Sequence, residues 1–362
     1  MSVILSLMIY SLYLLPFVIL YVIFGSVYYS VKARLVDKLV YTREFSVSDA
    51  FSGDELFIIE TITNPTPFPL FFVDVESYIH SDLLLDGREK QDGMQMMISR
   101  FHLRGRSKTT RTHKVHCIAR GYYAMTVATV LTKGLGVEKT KDFTFSSELY
   151  VYPEVTSSIP SGTAIGRIFG ESMSLRQTVY DPFSVSGVRD YTFGDPVNSI
   201  NFKATARSYS HGMRGIKVNN YDFCCDRAIM LCLDFSSAHE LETLREYEWR
   251  MEKALSLCAS VVAYGLKNGH KVGFTANCRT DDGANSVLFP VSGGEFRLCE
   301  IFRMMSKIRI AVGASFASVL EQQNKSYLSG AELYVLTASS DSAVADAVDK
   351  LKRSNSVCVV KI

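Results

Sequence analysis

The chain begins with a long run of apolar residues. Residues 3–29 contain no charged side chain, and at about 1.5 Å per residue a helix of that length exceeds the roughly 30 Å hydrocarbon core of a bilayer. Pro16 is tolerated within such a helix. Tyrosines suited to the membrane interface occur along the run, at Tyr10, Tyr13, Tyr21, Tyr28 and Tyr29. The pattern predicts an N-terminal transmembrane helix.

Basic residues follow this apolar run, and only the α-amino group precedes it. The residues that follow are Lys32, Arg34, Lys38 and Arg43. By the positive-inside rule we expect a single-pass protein of the cell membrane with its soluble domains in the cytoplasm. A cleaved signal peptide is the alternative, but the run lacks a basic start and a small-x-small cleavage site. We interpret the basic residues as a stop-transfer flank rather than a lipid-binding site.

Residues 40–155 show a different pattern. Short runs rich in β-branched and aromatic residues are separated by turn residues such as Asn64, Gly87, Gly105 and Gly121. The clearest runs are residues 56–63, 70–79, 114–119 and 122–131. Many short strands separated by turns predict a β-sandwich domain.

Residues 156–225 begin with a Ser-, Gly- and Pro-rich linker over 156–176, and strand-like and helical patterns alternate from residue 226 to residue 362. The nearly continuous apolar run 228–234 predicts a strand buried on both faces. Apolar residues at three- and four-residue steps predict a long helix over 251–266. Further strands are predicted over 271–276, 332–337 and 356–362, and helices over 295–307, 315–323 and 342–353. This order predicts a Rossmann-like α/β domain with a parallel sheet and helices on both faces.

Asp234 and Ser236 stand where the buried strand ends, in the segment AIMLCLDFSSA over residues 228–238. The carboxyl edge of an open α/β sheet is where ligands bind. Hydroxyl and carboxylate oxygens in this loop are the ligand types of a hard divalent cation. The alternative, which we favour, is that both side chains cap the following helix.

The strand, the loop and the long helix resemble the first βα unit of a von Willebrand factor A domain. The metal-ion-dependent adhesion site of that family reads Asp-x-Ser-x-Ser, whereas Ala238 occupies the third position here. After the strand 332–337, where the family places another acidic residue, the chain has Thr337, Ala338 and Ser339, and the nearest carboxylate is Asp341. The resemblance therefore implies a degenerate site in which Asp234 and Ser236 are the candidate Mg²⁺ ligands and no cofactor is expected.

An upstream segment carries a second resemblance. Residues 187–195 match the pattern G-x-R-x-Y-x-x-G-D, and residues 202–207 match a W-K-x-x-A-R-like stretch with Phe202 in place of tryptophan. Together they resemble the signature of the DUF58 family. The signature residues are Gly187, Arg189, Asp190, Tyr191, Gly194, Asp195, Lys203 and Arg207. We expect Arg189 and Arg207 to hold Asp190 or Asp195 in charge-assisted hydrogen bonds, mainly to make this irregular segment rigid.

Composition and the remaining residues exclude several function classes. The net charge is +2, so no global field favours nucleic acid. Eight scattered cysteines indicate reduced core thiols rather than a disulfide or zinc framework. His113 and His116 are three apart in a predicted strand and so face opposite sides. Phosphate-loop, H-E-x-x-H and G-x-S-x-G motifs do not occur.

These patterns lead to one leading hypothesis and two alternatives. We expect a non-enzymatic, membrane-anchored scaffold, for which the DUF58 resemblance implies a MoxR-type AAA+ ATPase partner and a role in assembling or activating a membrane or envelope complex. The first alternative is a Mg²⁺-dependent adhesion or sensing module using Asp234 and Ser236. The second is a hydrolase using Ser236 or Ser237 with His239, which ranks last because no oriented base is evident.

Overall fold

A computed structural model describes residues 2–86, 93–134, 137–156, 180–210, 215–223, 228–236, 243–325, 330–339 and 341–362. The chain divides into two compact units. The first comprises Met1–Glu154 with Phe302–Lys307, and the second comprises Val155–Ile301 with Ile308–Ile362. Nearly all of the predicted linker, from residue 157 onward, lies outside the described residues.

Helix α1 spans Ser2–Val36, and its segment Leu14–Val36 is long and apolar enough to cross a membrane. The prediction of an apolar N-terminal helix is confirmed, and the helix continues past residue 29. Between residues 14 and 31 nearly every described side chain is exposed. Lys32 and Val36 are buried, so the last turn of α1 packs into the first unit and Lys32 is not part of an exposed flank.

The rest of the first unit consists of two sheets. The four-stranded sheet has the order β1-β3-β7-β5, and the five-stranded sheet has the order β2-β9-β8-β4-β6. Neighbours are antiparallel except for the parallel pair β2 and β9. The strands are β1 Val40–Phe45, β2 Asp49–Phe51, β3 Glu55–Asn64, β4 Leu70–His80, β5 Leu83–Leu85, β6 Met94–Leu103, β7 Ser107–Cys117, β8 Gly121–Gly134 and β9 Val137–Tyr152. All four predicted strand runs of this region overlap strands, although the run 114–119 extends two residues past the end of β7.

Side chains of both sheets share the interior of the first unit. Along β3 every second residue is buried, which is the pattern of a strand with one face in a core. One apolar cluster includes Phe45, Ile58 and Met97, and a second includes Ile62 and Phe101. Between the two clusters, the same strands bury polar residues, which include Arg43, Glu60 and Ser99.

The first strands described in the second unit are an antiparallel pair, β10 Tyr180–Asp190 and β11 Lys217–Phe223. Between these two strands lie a 3₁₀ turn, Val197–Ser199, and helix α2, Phe202–Ser210. The side chain of Asn201 caps α2 by accepting a hydrogen bond from the Ala204 backbone N–H at 2.8 Å. The DUF58-like signature, residues 187–207, therefore comprises the end of β10, a turn and a capped helix.

The remainder of the second unit is built on a five-stranded sheet of order β15-β13-β12-β17-β18. A separate two-stranded sheet pairs β14 with β16. The elements of this part of the chain are β12 Ala228–Leu233, α3 Leu244–Lys267, β13 Lys271–Ala276, β14 Cys278–Thr280, β15 Val287–Ser292, α4 Glu295–Lys307, β16 Ile308–Val312, α5 Phe316–Lys325, β17 Glu332–Thr337, α6 Ser342–Leu351 and β18 Ser356–Lys361. The last residues of α4, Phe302–Lys307, belong to the first unit.

Strand β12 lies at the centre of this sheet, parallel to both of its neighbours. The chain leaves β12 for β13 on one side and later places β17 on the other side, so the topological switch point lies between β12 and β17. Buried residues of α5 and α6 pack with Met230 and Cys232, whereas Gly265 of α3 lies over Val272 and Ile229. Because successive strand residues face opposite ways, helices cover both faces.

The sheet differs from the prediction at one edge. Strand β15 pairs antiparallel with β13, so the sheet is mixed rather than wholly parallel. The run 287–292 contains Pro290, which cannot donate to a ladder and is confined to edge strands. A short proline-containing run therefore did not stand out as a strand, although an edge position accommodates it.

The cysteine prediction holds for most of the described residues. Every cysteine that the structure describes is a free thiol. Cys117, Cys232, Cys258 and Cys278 are buried, whereas Cys299 is exposed and Cys358 is partly exposed. Cys299 thus departs from the predicted core position.

Candidate functional site

The candidate site lies at the carboxyl ends of β12, β13 and β17, where the strand order places the switch point. Asp234 follows β12, Asn277 follows β13 and Thr337 ends β17. The Asp234 side chain is completely buried. Three adjacent parallel strands thus deliver one carboxylate, one amide and one hydroxyl to a single point.

Both carboxylate oxygens of Asp234 accept hydrogen bonds. The Oδ1 atom accepts from the Ser236 backbone N–H at 2.9 Å, the Ser236 hydroxyl at 2.7 Å and the Asn277 amide at 3.0 Å. The Oδ2 atom accepts from the Thr337 hydroxyl at 2.7 Å. A buried carboxylate is costly unless it is hydrogen-bonded, and four neutral donors meet that requirement here.

Asn277 and Thr337 also hold the adjoining backbone. The Asn277 Oδ1 atom accepts from the Phe235 N–H at 2.7 Å, and Thr337 Oγ1 accepts from the Ser339 N–H at 3.0 Å. Asn277 and Thr337 therefore each form hydrogen bonds both to the Asp234 carboxylate and to a backbone N–H just beyond the end of a strand. The sequence analysis missed Asn277, although a polar residue directly after a predicted parallel strand was an available signal.

Asp234 and Ser236 do not cap α3. The N-cap is Thr243, whose Oγ1 accepts from the Glu246 N–H at 3.3 Å while Glu246 Oε2 accepts from the Thr243 N–H at 3.1 Å. This reciprocal pair is a capping box. The capping interpretation was wrong because six further residues separate Ser236 from Thr243. Ser237, Ala238 and His239 lie outside the described residues.

A divalent cation needs several oxygen ligands with free lone pairs. Hydrogen-bond donors face both oxygens of the Asp234 carboxylate, so a cation bound there would have to displace some of these donors. Asp341 is the nearest carboxylate after β17 in the sequence. Its side chain caps α6 by accepting a hydrogen bond from the Ala343 N–H at 3.1 Å. Across the described ranges, His, Cys, Asp and Glu residues form no group of three or more that could hold a metal ion.

The DUF58-like signature forms a second arrangement, in the turn after β10. Arg189 donates to both carboxylate oxygens of Asp195, at 2.7 and 2.6 Å. The Thr192 N–H also donates to Asp195 Oδ2 at 2.8 Å. The hydrogen bonds from Arg189 and Thr192 hold the pKa of Asp195 well below its ordinary value. Gly194 adopts a φ of 106° inside this turn, a conformation that side chains other than glycine rarely take.

The other signature residues have separate positions. Asp190 pairs with Lys217 of β11 at 2.7 Å, whereas Asp195 pairs with Arg189. Gly187 lies in β10, opposite Asn220. Tyr191 is partly exposed, and Lys203 and Arg207 are exposed on α2. The structure thus brings together Arg189 and Asp195 of the predicted set and leaves Lys203 and Arg207 at the surface.

Apolar side chains around the signature are also exposed. Phe193 is fully exposed, and Phe202, in the tryptophan position of the family pattern, is 75% exposed. The exposed apolar residues of this surface, here called the signature surface, are Val188, Tyr191, Phe193, Val197, Phe202 and Tyr209. Exposed aromatic residues grouped in one segment are typical of a protein interaction site.

The histidines of β7 contact different carboxylates. His113 Nε2 lies 3.1 Å from Glu60 Oε2, and His116 Nδ1 lies 3.3 Å from Glu55 Oε1. The two imidazoles therefore do not converge on one point, as the strand spacing predicted.

Comparison with known proteins points to the same family as the signature. Residues 187–353 match the family model described as "Protein of unknown function DUF58". The chain is 20% identical over 268 residues to "Uncharacterized protein YeaD" of Bacillus subtilis (strain 168), covering 73% of this chain and 61% of that relative. The two matches support a DUF58 family protein. The matched region spans less than two thirds of the length of the relative.

Solved structures show weak similarity. The CARDB domain of the PF1109 protein from Pyrococcus furiosus is 13% identical, with a TM-score of 0.22 over 31% of this chain and 93% of that one. The cohesin module of a Clostridium perfringens family 33 glycoside hydrolase is 15% identical, with a TM-score of 0.21 over 31% of this chain and 96% of that one. TM-scores this low do not identify a fold.

Proposed function

We propose that this chain is a membrane-anchored, non-enzymatic scaffold that recruits a protein partner through its signature surface. The partner that the DUF58 resemblance implies is a MoxR-type AAA+ ATPase, and the role is assembly or activation of a membrane or envelope complex. Helix α1 is the single anchor, and the soluble units are cytoplasmic. In this proposal the first unit is a β-sandwich that serves as a spacer.

The observation that carries the proposal is the signature surface itself. Its aromatic residues project from a segment whose turn is fixed by the bidentate Arg189–Asp195 pair. A bidentate arginine–carboxylate pair restrains both orientation and distance. Rigid aromatic side chains lose little entropy on binding, so they are effective anchors of an interface.

The order of the strands in the second unit supports a von Willebrand factor A-like assignment within this proposal. Its central strand β12 ends at Asp234, at the switch point where such a domain holds its ligand. We propose that Asp234 and Ser236 are structural here and that no cofactor is required, because the donors of Ser236, Asn277 and Thr337 occupy the carboxylate. Nucleic acid is not a proposed partner.

Affinity purification from membranes tests the proposal. A tagged full-length chain is recovered from detergent-solubilised membranes, and co-purifying proteins are identified by mass spectrometry. We expect an AAA+ ATPase with the wild-type chain and its loss with Phe193→Ala/Phe202→Ala. The matched control is Phe296→Ala, which removes an equally exposed phenylalanine at the start of α4 and should leave recovery unchanged.

Two results would contradict the proposal. One is the absence of any AAA+ ATPase from the wild-type sample, and the other is equal recovery by wild type and the double variant. The orientation has its own test, since externally added protease should digest the soluble units only after spheroplasts are lysed.

A further inference from the structure

One end of the first unit, here called the helix-proximal end, is where α1 joins the two sheets. Strand β1 begins there, with Val40 opposite Thr63 near the end of β3. The same register places Asn64 opposite Ser107 and Leu70 opposite Leu103. The β3–β4 and β6–β7 turns therefore lie at this end together with the last turn of α1.

The two turns form one connected structure. The Asn64 amide donates to the Phe68 carbonyl at 2.8 Å and to the Arg104 carbonyl at 3.0 Å. The Arg106 N–H donates to the Thr66 carbonyl at 2.7 Å. Gly105 approaches Pro67 so closely that a Cβ atom would lie 2.0 Å from its carbonyl oxygen. Glycine is therefore required at this contact, and the two turns are positioned as a pair.

Three phenylalanines project from these turns. Phe68, Phe71 and Phe72 are 58%, 48% and 61% exposed. A register shift between Leu70 and Val73, with Phe72 at a φ of 56°, leaves two consecutive phenylalanines facing solvent. Positive φ is a strained conformation for a bulky residue. In a regular strand, one of these two consecutive side chains would face the core. The bulge therefore exposes apolar surface that would otherwise be buried.

Basic residues accompany the phenylalanines. Arg104, Arg106 and Lys108 are exposed, and among the described residues no carboxylate pairs with any of them. Asp37 and Asp74 at this end pair with Lys139 and Arg100. The described turns at the opposite end of the sheets carry Asp54 and Asp82 together with Arg120. Three exposed basic residues without a described carboxylate partner therefore lie on the side where α1 joins.

The apolar cluster beneath these turns is continuous with α1. Val36 and Leu39 belong to the same cluster as Leu70 and Leu103. The exposed part of α1 extends to Val31, which at about 1.5 Å per residue is less than about 10 Å along the axis from Val36. A bilayer surrounding the exposed part of α1 therefore meets the first unit at its helix-proximal end.

We propose that the helix-proximal end docks on the surface of the bilayer that α1 spans. Phe68, Phe71 and Phe72 enter the headgroup region, and Arg104, Arg106 and Lys108 bind anionic lipid headgroups. Aromatic side chains favour the membrane interface, and basic residues are attracted to anionic lipid. This inference rests on the membrane anchor of the proposed function and adds a fixed orientation of the first unit on the membrane.

Tryptophan quenching in nanodiscs tests the docking. The full-length chain carries Trp249→Phe, which removes its single tryptophan, and receives one new tryptophan as Phe68→Trp or Phe72→Trp. The nanodiscs contain phosphatidylcholine with brominated acyl chains and phosphatidylglycerol in about a 3:1 ratio, which provides anionic headgroups. The matched control is Phe57→Trp, at a position 47% exposed near the opposite end of β3.

We expect bromine to quench the tryptophans at positions 68 and 72 and to leave the one at position 57 unaffected. Adding Arg104→Gln, Arg106→Gln and Lys108→Gln to Phe72→Trp should reduce quenching toward the control in these nanodiscs. Quenching that these three substitutions leave unchanged would overturn the headgroup assignment.

A tryptophan in α1 distinguishes an error in the docking proposal from an error in the proposed membrane anchor. Phe24→Trp places the probe in the exposed part of α1. Quenching at position 24 with none at positions 68 and 72 would overturn the docking while leaving the anchor intact. Absence of quenching at position 24 as well would overturn both. If the emission of the tryptophan at position 72 changes with protein concentration and not with bromination of the lipid, a second copy of the chain covers this surface instead of lipid. That result would also overturn the docking.

Discussion

Among the described residues, each of the two units buries one carboxylate completely, and they stabilise it in different ways. Glu60, in the first unit, faces ionisable partners: Tyr41 Oη lies 2.9 Å away, His113 Nε2 3.1 Å and Arg43 Nε 3.7 Å. Asp234, in the second unit, accepts hydrogen bonds from Ser236, Asn277 and Thr337. One carboxylate is balanced by charge, and the other is held by neutral donors.

The positions of the two residues in their strands explain the difference. Glu60 lies in the middle of β3, where backbone N–H groups are already paired with β1 and β7. Only side chains from neighbouring strands can reach it. Asp234 follows the last residue of β12, where the Ser236 N–H is free of a ladder and adjacent parallel strands also end. Strand ends supply neutral donors that strand centres lack.

The first consequence concerns the ion pair of the first unit. Arg43 is almost completely buried, so Glu60→Leu should leave an uncompensated charge and lower the free energy of unfolding by about 3–5 kcal/mol. Arg43→Met/Glu60→Leu should recover much of that loss, because both charges are removed together. Urea unfolding in detergent measures both variants. A double variant no more stable than Glu60→Leu would contradict a charge-balanced pair.

The second consequence concerns the neutral donors of the second unit. Thr337→Val removes a hydroxyl that donates to a carboxylate and should cost about 1.5–3 kcal/mol. The matched control is Thr275→Val, since Thr275 is also buried but donates to the neutral Val287 carbonyl at 2.9 Å, and should cost about 0.5–1.5 kcal/mol. Equal losses in urea unfolding would show that the Asp234 carboxylate is not the special acceptor.

The third consequence is a pH dependence of the first unit. Burial raises the pKa of Glu60, but the His113 hydrogen bond and the Arg43 charge lower it by more, so the pKa lies below its ordinary value. The stabilisation by ionised Glu60 is therefore present above the ordinary glutamate pKa and is lost as the pH falls through the folded pKa. The stability difference between wild type and Glu60→Gln should shrink on acidification. A difference that is constant with pH would contradict this sign.

The smallest expected effect is on thiol reactivity. Burial raises the pKa of Cys117 to about 11 and that of Cys232 to about 12, and thiolates are the reactive form. Peptide-resolved labelling with a maleimide at neutral pH should modify Cys299 in the native chain and reach Cys117 and Cys232 only after unfolding. Native labelling of Cys232 would show that β12 is not a buried central strand.

Local patterns predicted much of the second unit. The apolar run of β12 and the three- and four-residue steps of α3 are patterns among residues close in sequence. The sequence alone was therefore sufficient to predict these two elements. Strand β15 was missed because its run is short and contains Pro290, which only an edge strand accommodates. Helix α2 was missed because only nine residues form it.

The polar contacts were harder to predict than the strands. Alternation along β3 places Glu60 on the same face as Ile58 and Ile62, which was a readable sign of a buried carboxylate. Its pairing with Arg43 depends on the register of β1 against β3. Asp234 was recognised, but its donors Asn277 and Thr337 come from two other strand ends, and only the strand order brings them together.

Calorimetric titration of Mg²⁺ into the purified full-length chain tests most directly whether the Asp234 site is closed by its own donors. The neutral hydrogen bonds to Asp234 predict no saturable heat that depends on this residue. A saturable heat in the wild-type chain that disappears in Asp234→Asn would contradict the account, because it would show that a cation displaces those donors.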